Sequence, residues 1–364
     1  MTRLVFKENM KKAVEAASGG TQTILRTAND QPFYANVVKK FDLSTIDAAL
    51  SGTHPAFIVN GVEVDKIYIG TYQSTIVNGE ALSLPNNVIS TAVALEGALT
   101  ASRACGAGFH LMTAAEWSVF ALRAVANSIY PYGNSGYGRE ARDSTQFGVR
   151  EDGLDPGVVN ATGGARILSG TGPASFRSRK EYNGVCDLVG NVSEWTWGIR
   201  FVPSGTSLEV QVLENNNAIS YTTIAAAEAQ WKAIDATNGS LIAPNGTGST
   251  ANSVKFATSG VADYTLVLAT NSPVSSISNP STTAQVSAAA IATLKKYGIY
   301  NKDASAPLAG YMTIAQSTAL TGNRYNLRGG NYSFGAAAGI YTLTNQLATQ
   351  ADGFVGFRTC YIPQ

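Results

Sequence analysis

Residues 323–358 constrain the folding of this chain more than any other stretch. The segment opens with an Arg-Gly-Gly triplet at 328–330 and closes with a Gly-Phe-Arg triplet at 356–358. Between the triplets, large apolar side chains are mixed with Asn, Ser and Thr, and neither a strand period nor a helix period is sustained. Glycines along the segment permit turns with positive φ at little steric cost. The sequence therefore predicts an irregular segment that is fixed at both ends.

The composition of this segment is typical of two kinds of structure. Rigid aromatic side chains mixed with short polar ones are typical of binding loops, in which they give contact area and adaptable hydrogen bonds. A glycine-rich, irregular part of a protein core has a similar composition, and the aliphatic Ile340 and Leu343 favour that interpretation. The candidate contact residues are Tyr332, Phe334, Ile340, Tyr341, Leu343, Asn345, Thr349, Asp352 and Phe354.

The ends of the segment are expected to belong to the framework of the fold. Arg328 and Arg358 should bind carboxylates or backbone carbonyls, and Glu194 is a candidate partner. The predicted framework residues are Trp117, Trp195, Arg328, Gly329, Gly330, Gly356, Phe357 and Arg358.

Length and composition exclude several classes of protein. A chain of 364 residues suggests two or three structural units. Apolar residues make up 45% of the chain, but no run of about 18 of them occurs, so we expect no membrane insertion. A net charge of +1 without a basic block argues against nucleic-acid binding. The N-terminus has no continuous apolar core, so no secretory signal is expected.

Local patterns predict several elements in the first seventy residues. The chain carries the signals of an amphipathic helix before a Gly-Gly pair, of extended chain, of a second helix capped by a serine, and of a hairpin around Asn-Gly. These elements are a helix over 4–17, extended chain over 21–40, a helix starting at Ser44 and ending before Gly52, and strands 57–59 and 64–70 around Asn60-Gly61.

A further helix is predicted after Thr113. Thr113 and Glu116 have the spacing of a capping box, and the apolar residues from Trp117 to Val125 recur on one helical face. His110 precedes this helix and has no acid or nucleophile tied to it in the sequence. We therefore expect a structural histidine.

Residues 182–198 predict a strand that carries Trp195 and Trp197 on one side. Asp187, Asn191 and Glu194 are oxygen-bearing and close together, so they are candidate calcium ligands. The alternative is that these side chains bind turn amides and a neighbouring arginine.

Residues 203–320 differ in composition, being rich in Ser, Thr, Ala, Asn and Gly. Helices are predicted over 223–236 and 282–297, with a strand over 264–268 between them. The stretch has too many apolar residues to stay disordered, so it is interpreted as a folded insertion.

Four motifs in this order resemble a known family. GFHLMTAAEW, YPYGN, DLVGNVSEW and the closing RGGNY…GFR look like the C-type lectin fold of the formylglycine-generating-enzyme (sulfatase-modifying factor) type. The matched motifs span about residues 55–200 and 323–362. The resemblance implies an α+β fold with a small twisted antiparallel sheet, two helices, extensive loops and a large insertion. The corresponding division is 1–52 for assembly, 53–202 and 323–364 for the lectin-like domain, and 203–322 for the insertion.

The same fold hosts enzymes and binding proteins, so the residues must decide between them. An oxidase would need a neighbouring cysteine pair, but Cys105, Cys186 and Cys360 lie far apart. A non-haem iron enzyme would need a histidine cluster, and the chain has only two histidines. We therefore expect a binding protein without catalytic activity, and without a cofactor unless calcium is bound.

The resemblance extends to variable proteins of diversity-generating retroelements and to receptor-binding proteins at phage tail-fibre tips. It implies a virion protein that contacts a bacterial cell-surface receptor, either protein or glycan, through residues 332–354. It also implies contacts with other tail or fibre proteins, and a homotrimer held by residues 1–52 or by the insertion. Diversification by a retroelement is left open. The alternatives are a non-viral ligand-binding protein of the same fold and a formylglycine-generating-type oxidase.

Overall fold

The computed structural model describes residues 2–160, 164–258, 263–268, 272–313 and 321–363, apart from the side chains of residues 2–6. The described chain is an α+β protein with several sheets. Its α-helices are α1 (Thr2–Ala17), α2 (Leu95–Ala104), α3 (Ala114–Asn127), α4 (Ile224–Ala227) and α5 (Ala288–Lys296). Its 3₁₀ helices are Leu43–Thr45, Pro55–Phe57, Ala174–Phe176, Asn217–Ser220, Glu228–Gln230, Val274–Ser276 and Gly335–Ala337.

The first sheet is antiparallel and has the strand order β1-β2-β5-β20-β8. It joins the N-terminal strands to the last strand of the chain. Two separate hairpins, β3-β4 and β6-β7, lie outside it. These strands are β1 (Gln22–Arg26), β2 (Pro32–Lys39), β3 (Ile58–Val59), β4 (Val62–Glu63), β5 (Lys66–Gly70), β6 (Thr75–Val77), β7 (Glu80–Leu82), β8 (Phe109–Leu111) and β20 (Thr359–Tyr361).

The second sheet is mixed, and its main path runs β12-β11-β10-β9-β17-β18-β16-β15. In addition, β13 pairs with β10 and β14, and β19 runs parallel to β9. Its strands are β9 (Ser193–Ser204), β10 (Ser207–Val212), β11 (Lys232–Ile234), β12 (Leu241–Ile242), β13 (Lys255–Ala257), β14 (Thr265–Val267), β15 (Ser272–Pro273), β16 (Tyr311–Met312), β17 (Arg324–Arg328), β18 (Leu343–Leu347) and β19 (Val355–Phe357).

The segment between 203 and 322 extends this second sheet. β10 pairs with β9 along six residues, from Ser207 opposite Ser204 to Val212 opposite Ile199. Apolar side chains of β13 and β14 also share one buried cluster with Trp117 of α3. Similarly, β1 and β2 belong to the sheet that contains β5 and β20. The sequence boundaries at 52, 202 and 322 therefore cross continuous sheets.

Most of the predicted local elements are confirmed. α1 and β1-β2 fall where the helix and the extended chain were expected, and β14 falls within 264–268. Thr113 caps α3 with the full capping box, and β9 carries both Trp195 and Trp197 in one buried cluster. The Asn60-Gly61 turn joins β3 to β4, but the strand predicted over 64–70 begins at Lys66 and pairs in the first sheet.

Three helix predictions need correction. The element at Ser44 is a 3₁₀ turn, because the Asp42 carboxylate accepts hydrogen bonds from both the amide and the hydroxyl of Ser44 and is the actual cap. The helix over 223–236 stops at Ala227, since Trp231 is buried and the chain then joins β11. α5 begins only after its cap Ser287, six residues later than the pattern over 282–297 predicted.

Among the described residues, no helix combines the length and the apolar character needed to cross a membrane.

Candidate functional site

The closing Gly-Phe-Arg triplet is held by a buried ion pair. The guanidinium of Arg358 donates to both carboxylate oxygens of Glu194, with Nε–Oε2 at 3.0 Å and Nη2–Oε1 at 2.7 Å. It also donates to the carbonyls of Gly70 and Cys186, both at 2.9 Å. Burial alone would lower the pKa of Arg358, but the Glu194 carboxylate raises it above the ordinary value. The predicted partnership of Arg358 with Glu194 is confirmed.

The Arg-Gly-Gly triplet is held differently, by backbone carbonyls. Arg328 is fully buried, and its Nη2 donates to the carbonyl of Gly298 at 2.7 Å and that of Tyr297 at 3.2 Å, just past the end of α5. Carbonyls at a helix C-terminus favour a cation. No carboxylate pairs with Arg328 among the described residues, and burial lowers its pKa to about 10. Both ends of the segment are thus fixed in the interior, as the sequence predicted.

The residue after Arg328 must be glycine because of a close backbone approach. Gly329 has a φ of +81°, and a Cβ added there would lie 2.6 Å from the carbonyl oxygen of Leu188. The Trp117 indole packs against the same position and donates from Nε1 to the carbonyl of Ile340 at 2.8 Å. All eight predicted framework residues are buried. Besides Trp117, Arg328, Gly329 and Arg358, they are Trp195, Gly330, Gly356 and Phe357.

Four of the predicted contact residues are instead part of the core. Ile340, Tyr341 and Leu343 are 0% exposed and Asn345 is 8% exposed. For Leu343 and Asn345 the burial has a topological cause, because they lie on β18, an interior strand with β17 on one side and β16 on the other. The Tyr341 hydroxyl lies 3.3 Å from Nδ2 of Asn301, and burial raises its pKa. The prediction that these four contact a receptor is wrong for the folded chain.

The other five contact candidates reach the surface. Tyr332 and Phe334 are partly buried, Asp352 is partly exposed, and Thr349 and Phe354 are exposed, the latter at 38%. Phe334 packs on the main core cluster, so it presents only part of its ring. The Asp352 carboxylate accepts a hydrogen bond from Gln346 at 2.9 Å, which fixes the turn between β18 and β19.

Tyr332 and Phe354 lie on the same open groove, which has a volume of about 580 Å³. We call this feature the groove; its other lining residues are Val88, Glu151, Asp152, Asn160, Gly164, Arg166 and Gly353. Arg166 forms an ion pair with Glu151 and donates to the carbonyl of Gly353 at 2.5 Å. The groove therefore joins the closing part of the C-terminal segment to a distant loop.

Two polar atoms beside the groove have no partner in the described ranges. These are the buried Oε2 of Glu151 and the buried Nε of Arg166. Burial raises the pKa of Glu151 against the opposing effect of Arg166. An unpaired buried polar atom is costly, so a ligand could satisfy these two atoms only if their side chains turned toward the groove.

The loop that supplies Glu151, Asp152 and Asn160 to the groove also carries an apolar surface. We call it the flank; it consists of the exposed side chains of Phe147, Val149, Leu154, Val158 and Val159. Arg150, only 4% exposed, fixes this loop by donating to the carbonyls of Asp155 and Val158. It also donates to the carbonyl of Tyr137, whose ring lies 6.1 Å from that of Tyr332.

The sequence did not identify the groove or the flank. The flank residues show no helical or strand period, and the loop is linked to Tyr332 only through long-range contacts. A cluster of five apolar residues between 147 and 159 was the signal that could have indicated it, because exposed apolar patches mark interaction surfaces.

The candidate calcium ligands all bind protein groups, although the buried Oδ1 of Asp187 has no hydrogen-bond partner among the described residues. Glu194 binds Arg358, and the Asn191 side chain bonds Gln73 and the backbone of Ile167. Asp187 accepts the Gly170 amide at 2.9 Å, and burial raises its pKa. No group of three or more acidic, histidine or cysteine side chains arranged to hold a metal occurs within the described ranges. The geometry favours the structural interpretation of these residues.

The cysteines and histidines are also buried. Cys105, Cys186 and Cys360 are unpaired, and burial raises the pKa of each thiol, that of Cys105 to about 12. His110 bonds the Glu116 carboxylate at 2.8 Å and the Gly108 carbonyl at 2.9 Å, so its role is structural.

No protein-family model matches this chain, and no curated protein matches its sequence. Among solved structures, PvdO from Pseudomonas aeruginosa matches over 94% of this chain and 98% of its own, with 11% sequence identity and a TM-score of 0.35. A similarity this weak carries no conclusion about fold family or activity.

Proposed function

We propose that this protein is a receptor-binding protein of a phage tail fibre or tail tip, with a C-type lectin-like fold of the formylglycine-generating-enzyme type. The groove and the flank would contact a bacterial surface receptor. The observation that carries this proposal is the combination of buried Arg328 and Arg358 at the segment ends with the partly buried Tyr332 and the exposed Phe354, which line one groove between them. A rigid frame that presents aromatic side chains is what a binding surface requires.

A binding role agrees better with the chemistry of the chain than an oxidase role does. Reactive cysteines need a lowered thiol pKa and access to solvent. The three thiols here are buried and have raised pKa values. A non-viral ligand-binding protein of the same fold would use the same surface, so it remains the second candidate.

The groove suggests how a receptor would be held. Tyr332, Phe354 and the flank supply apolar area, and hot spots of interfaces are enriched in such aromatics. The Arg166–Glu151 ion pair lines the same groove and would orient polar groups of a receptor. Both protein and glycan receptors offer hydrogen-bond donors and acceptors together with apolar surface. A homotrimer would present three such surfaces, and this avidity would turn a modest affinity at each one into stable attachment.

Binding to host cells tests the proposal. Tyr332→Ala and Phe354→Ala should each weaken attachment of the purified protein about tenfold or more, as expected for interface hot spots. Tyr182→Ala is the matched control, because Tyr182 is 71% exposed and does not line the groove. If the groove variants remain folded and bind host cells as the parent does, this assignment of the surface is wrong.

A further inference from the structure

A second cavity lies away from the groove and shares no lining residue with it. It has a volume of about 160 Å³, and α3, β2 and the loop around residue 179 form its walls. The residues that matter for its chemistry are Asn36, Phe120, Arg123, Asn127, Ser178 and Arg179. Pockets for drug-sized ligands are typically about 300–1,000 Å³, so this one suits a small group.

Arg123 is the unusual residue of this cavity. It is partly buried, and its guanidinium lies 4.6 Å from the centre of the Phe41 ring. In the part of the chain that the structure describes, no carboxylate or carbonyl accepts a hydrogen bond from it. Burial lowers the pKa of Arg123, and the positive charge of Arg179 lowers it further. The pKa of the buried His54 is lowered to about 3, mainly by burial and next by the positive charge of Arg123.

The other charged groups lining the cavity do not compensate Arg123. Arg179 is paired with Glu181, Nε–Oε2 at 3.3 Å, and donates to the Asn183 side chain at 2.7 Å. The charged residues that line the cavity are Arg123, Arg179 and Glu181, so their side chains carry one net positive charge. Phe120 and the stacked Phe41 lower the local polarity, which strengthens the attraction of an anion.

We propose that this cavity binds a small oxyanion, namely a phosphate, sulfate or carboxylate group, through the guanidinium of Arg123. A guanidinium offers its N–H donors in a planar fork that fits two oxygens of such a group at once. Arg179 also lines the cavity, and the Asn127 amide, which donates one hydrogen to the Arg123 carbonyl at 3.0 Å, has a second hydrogen to donate. The anion is either free or the charged end of a larger molecule.

Titration with simple anions tests this site. Sodium phosphate, sulfate and acetate are added to the full chain at constant ionic strength, with chloride as the balancing ion, and the unfolding temperature is followed. A ligand that binds only the folded state raises the unfolding temperature in a saturable way. We expect this response from at least one of the three anions with the parent protein.

Variants identify the residue responsible. Arg123→Gln should weaken the apparent affinity about tenfold or more, because a charge-assisted pair of hydrogen bonds is lost. Arg123→Lys keeps the charge but loses the fork, so an intermediate loss is expected. Arg103→Gln is the matched control, since Arg103 is another arginine whose pKa is lowered by burial and it lies outside the cavity.

The outcomes separate clearly. The proposal is overturned if none of the anions raises the unfolding temperature of the parent more than chloride does. It is also overturned if the parent and Arg123→Gln show the same rise, which would mean an adventitious ion bound elsewhere. If Arg123→Gln does not fold, Arg123→Lys and Arg179→Gln decide the question. Tighter binding of glycerol 3-phosphate than of inorganic phosphate identifies the end of a larger molecule, and equal binding identifies a free ion. Host binding through the groove is measured separately, so either proposal can fail alone.

Discussion

Replacing Glu194 by Gln should destabilise the protein strongly, because the change leaves a buried charge without its partner. Glu194 is 1% exposed and Arg358 is 0% exposed. The neutral amide cannot accept from both Nε and Nη2 of Arg358 without turning its own N–H₂ group toward a donor. The guanidinium would then keep the carbonyls of Gly70 and Cys186 as its hydrogen-bond acceptors.

The expected magnitude follows from this loss. Breaking one partner of a buried ion pair costs about 3–5 kcal/mol. Typical stabilities are about 5–15 kcal/mol, so Glu194→Gln would remove about a fifth or more of a typical value. Gln73 also donates to Glu194 at 2.9 Å, and that bond would weaken when the acceptor loses its charge.

Urea denaturation followed by tryptophan fluorescence measures the effect, since a shift in midpoint at constant slope reports a change in stability. Glu181→Gln is the matched control. Its pair with Arg179 has side chains 62% and 47% exposed, so at most about 1 kcal/mol should be lost. A free energy of unfolding for Glu194→Gln within about 1 kcal/mol of the parent would refute the reasoning that this pair holds the segment.

Three further predictions concern the core, a buried acid and the assembly. Trp195→Ala should lower the free energy of unfolding by about 3–5 kcal/mol in urea, whereas Phe354→Ala should change it by less than about 1 kcal/mol. Asp187→Asn should raise stability at pH 7, because burial raises the pKa of Asp187 and its charged form destabilises the fold. That gain should shrink as the pH falls from the raised folded-state pKa toward the unfolded-state pKa of about 3.9, and it should vanish below that value, where the carboxyl is protonated in both states. Urea midpoints at several pH values measure it. Light scattering at micromolar concentration should give a trimer, and a stable monomer would contradict the predicted assembly.

The sequence predicted those parts of the fold that depend on nearby residues. The capping box of Thr113 and Glu116 closes within one helical turn, so the pattern alone determines the start of α3. The Asn60-Gly61 turn is local in the same way. The framework arginines were also identified, because a charged residue between glycines and apolar residues needs a partner if it is buried.

The features of the fold and of the groove that the sequence did not predict depend on contacts between distant segments of the chain. The burial of β18 requires β16 and β17 beside it, and nothing within residues 343–347 indicates which neighbours will pair. Likewise, Trp231 ends its predicted helix because its ring meets Trp197 at 5.4 Å, an interaction between residues far apart in the chain. The groove combines the loop that carries Glu151 and Arg166 with Tyr332 and Phe354, so it exists only after the sheets have assembled.

This arrangement determines which positions of the C-terminal segment can vary. Tyr341 is fully buried, and truncating a buried large aromatic side chain costs about 3–5 kcal/mol, so its replacement would threaten folding. Substitutions at exposed positions usually change stability by about 0.5 kcal/mol or less, so Thr349 and Phe354 can change freely. If the segment binds a receptor as proposed, variation in partner choice without loss of the fold would be confined to its exposed positions. Because the flank lies on a separate loop held by Arg150, it can keep its shape while the segment changes.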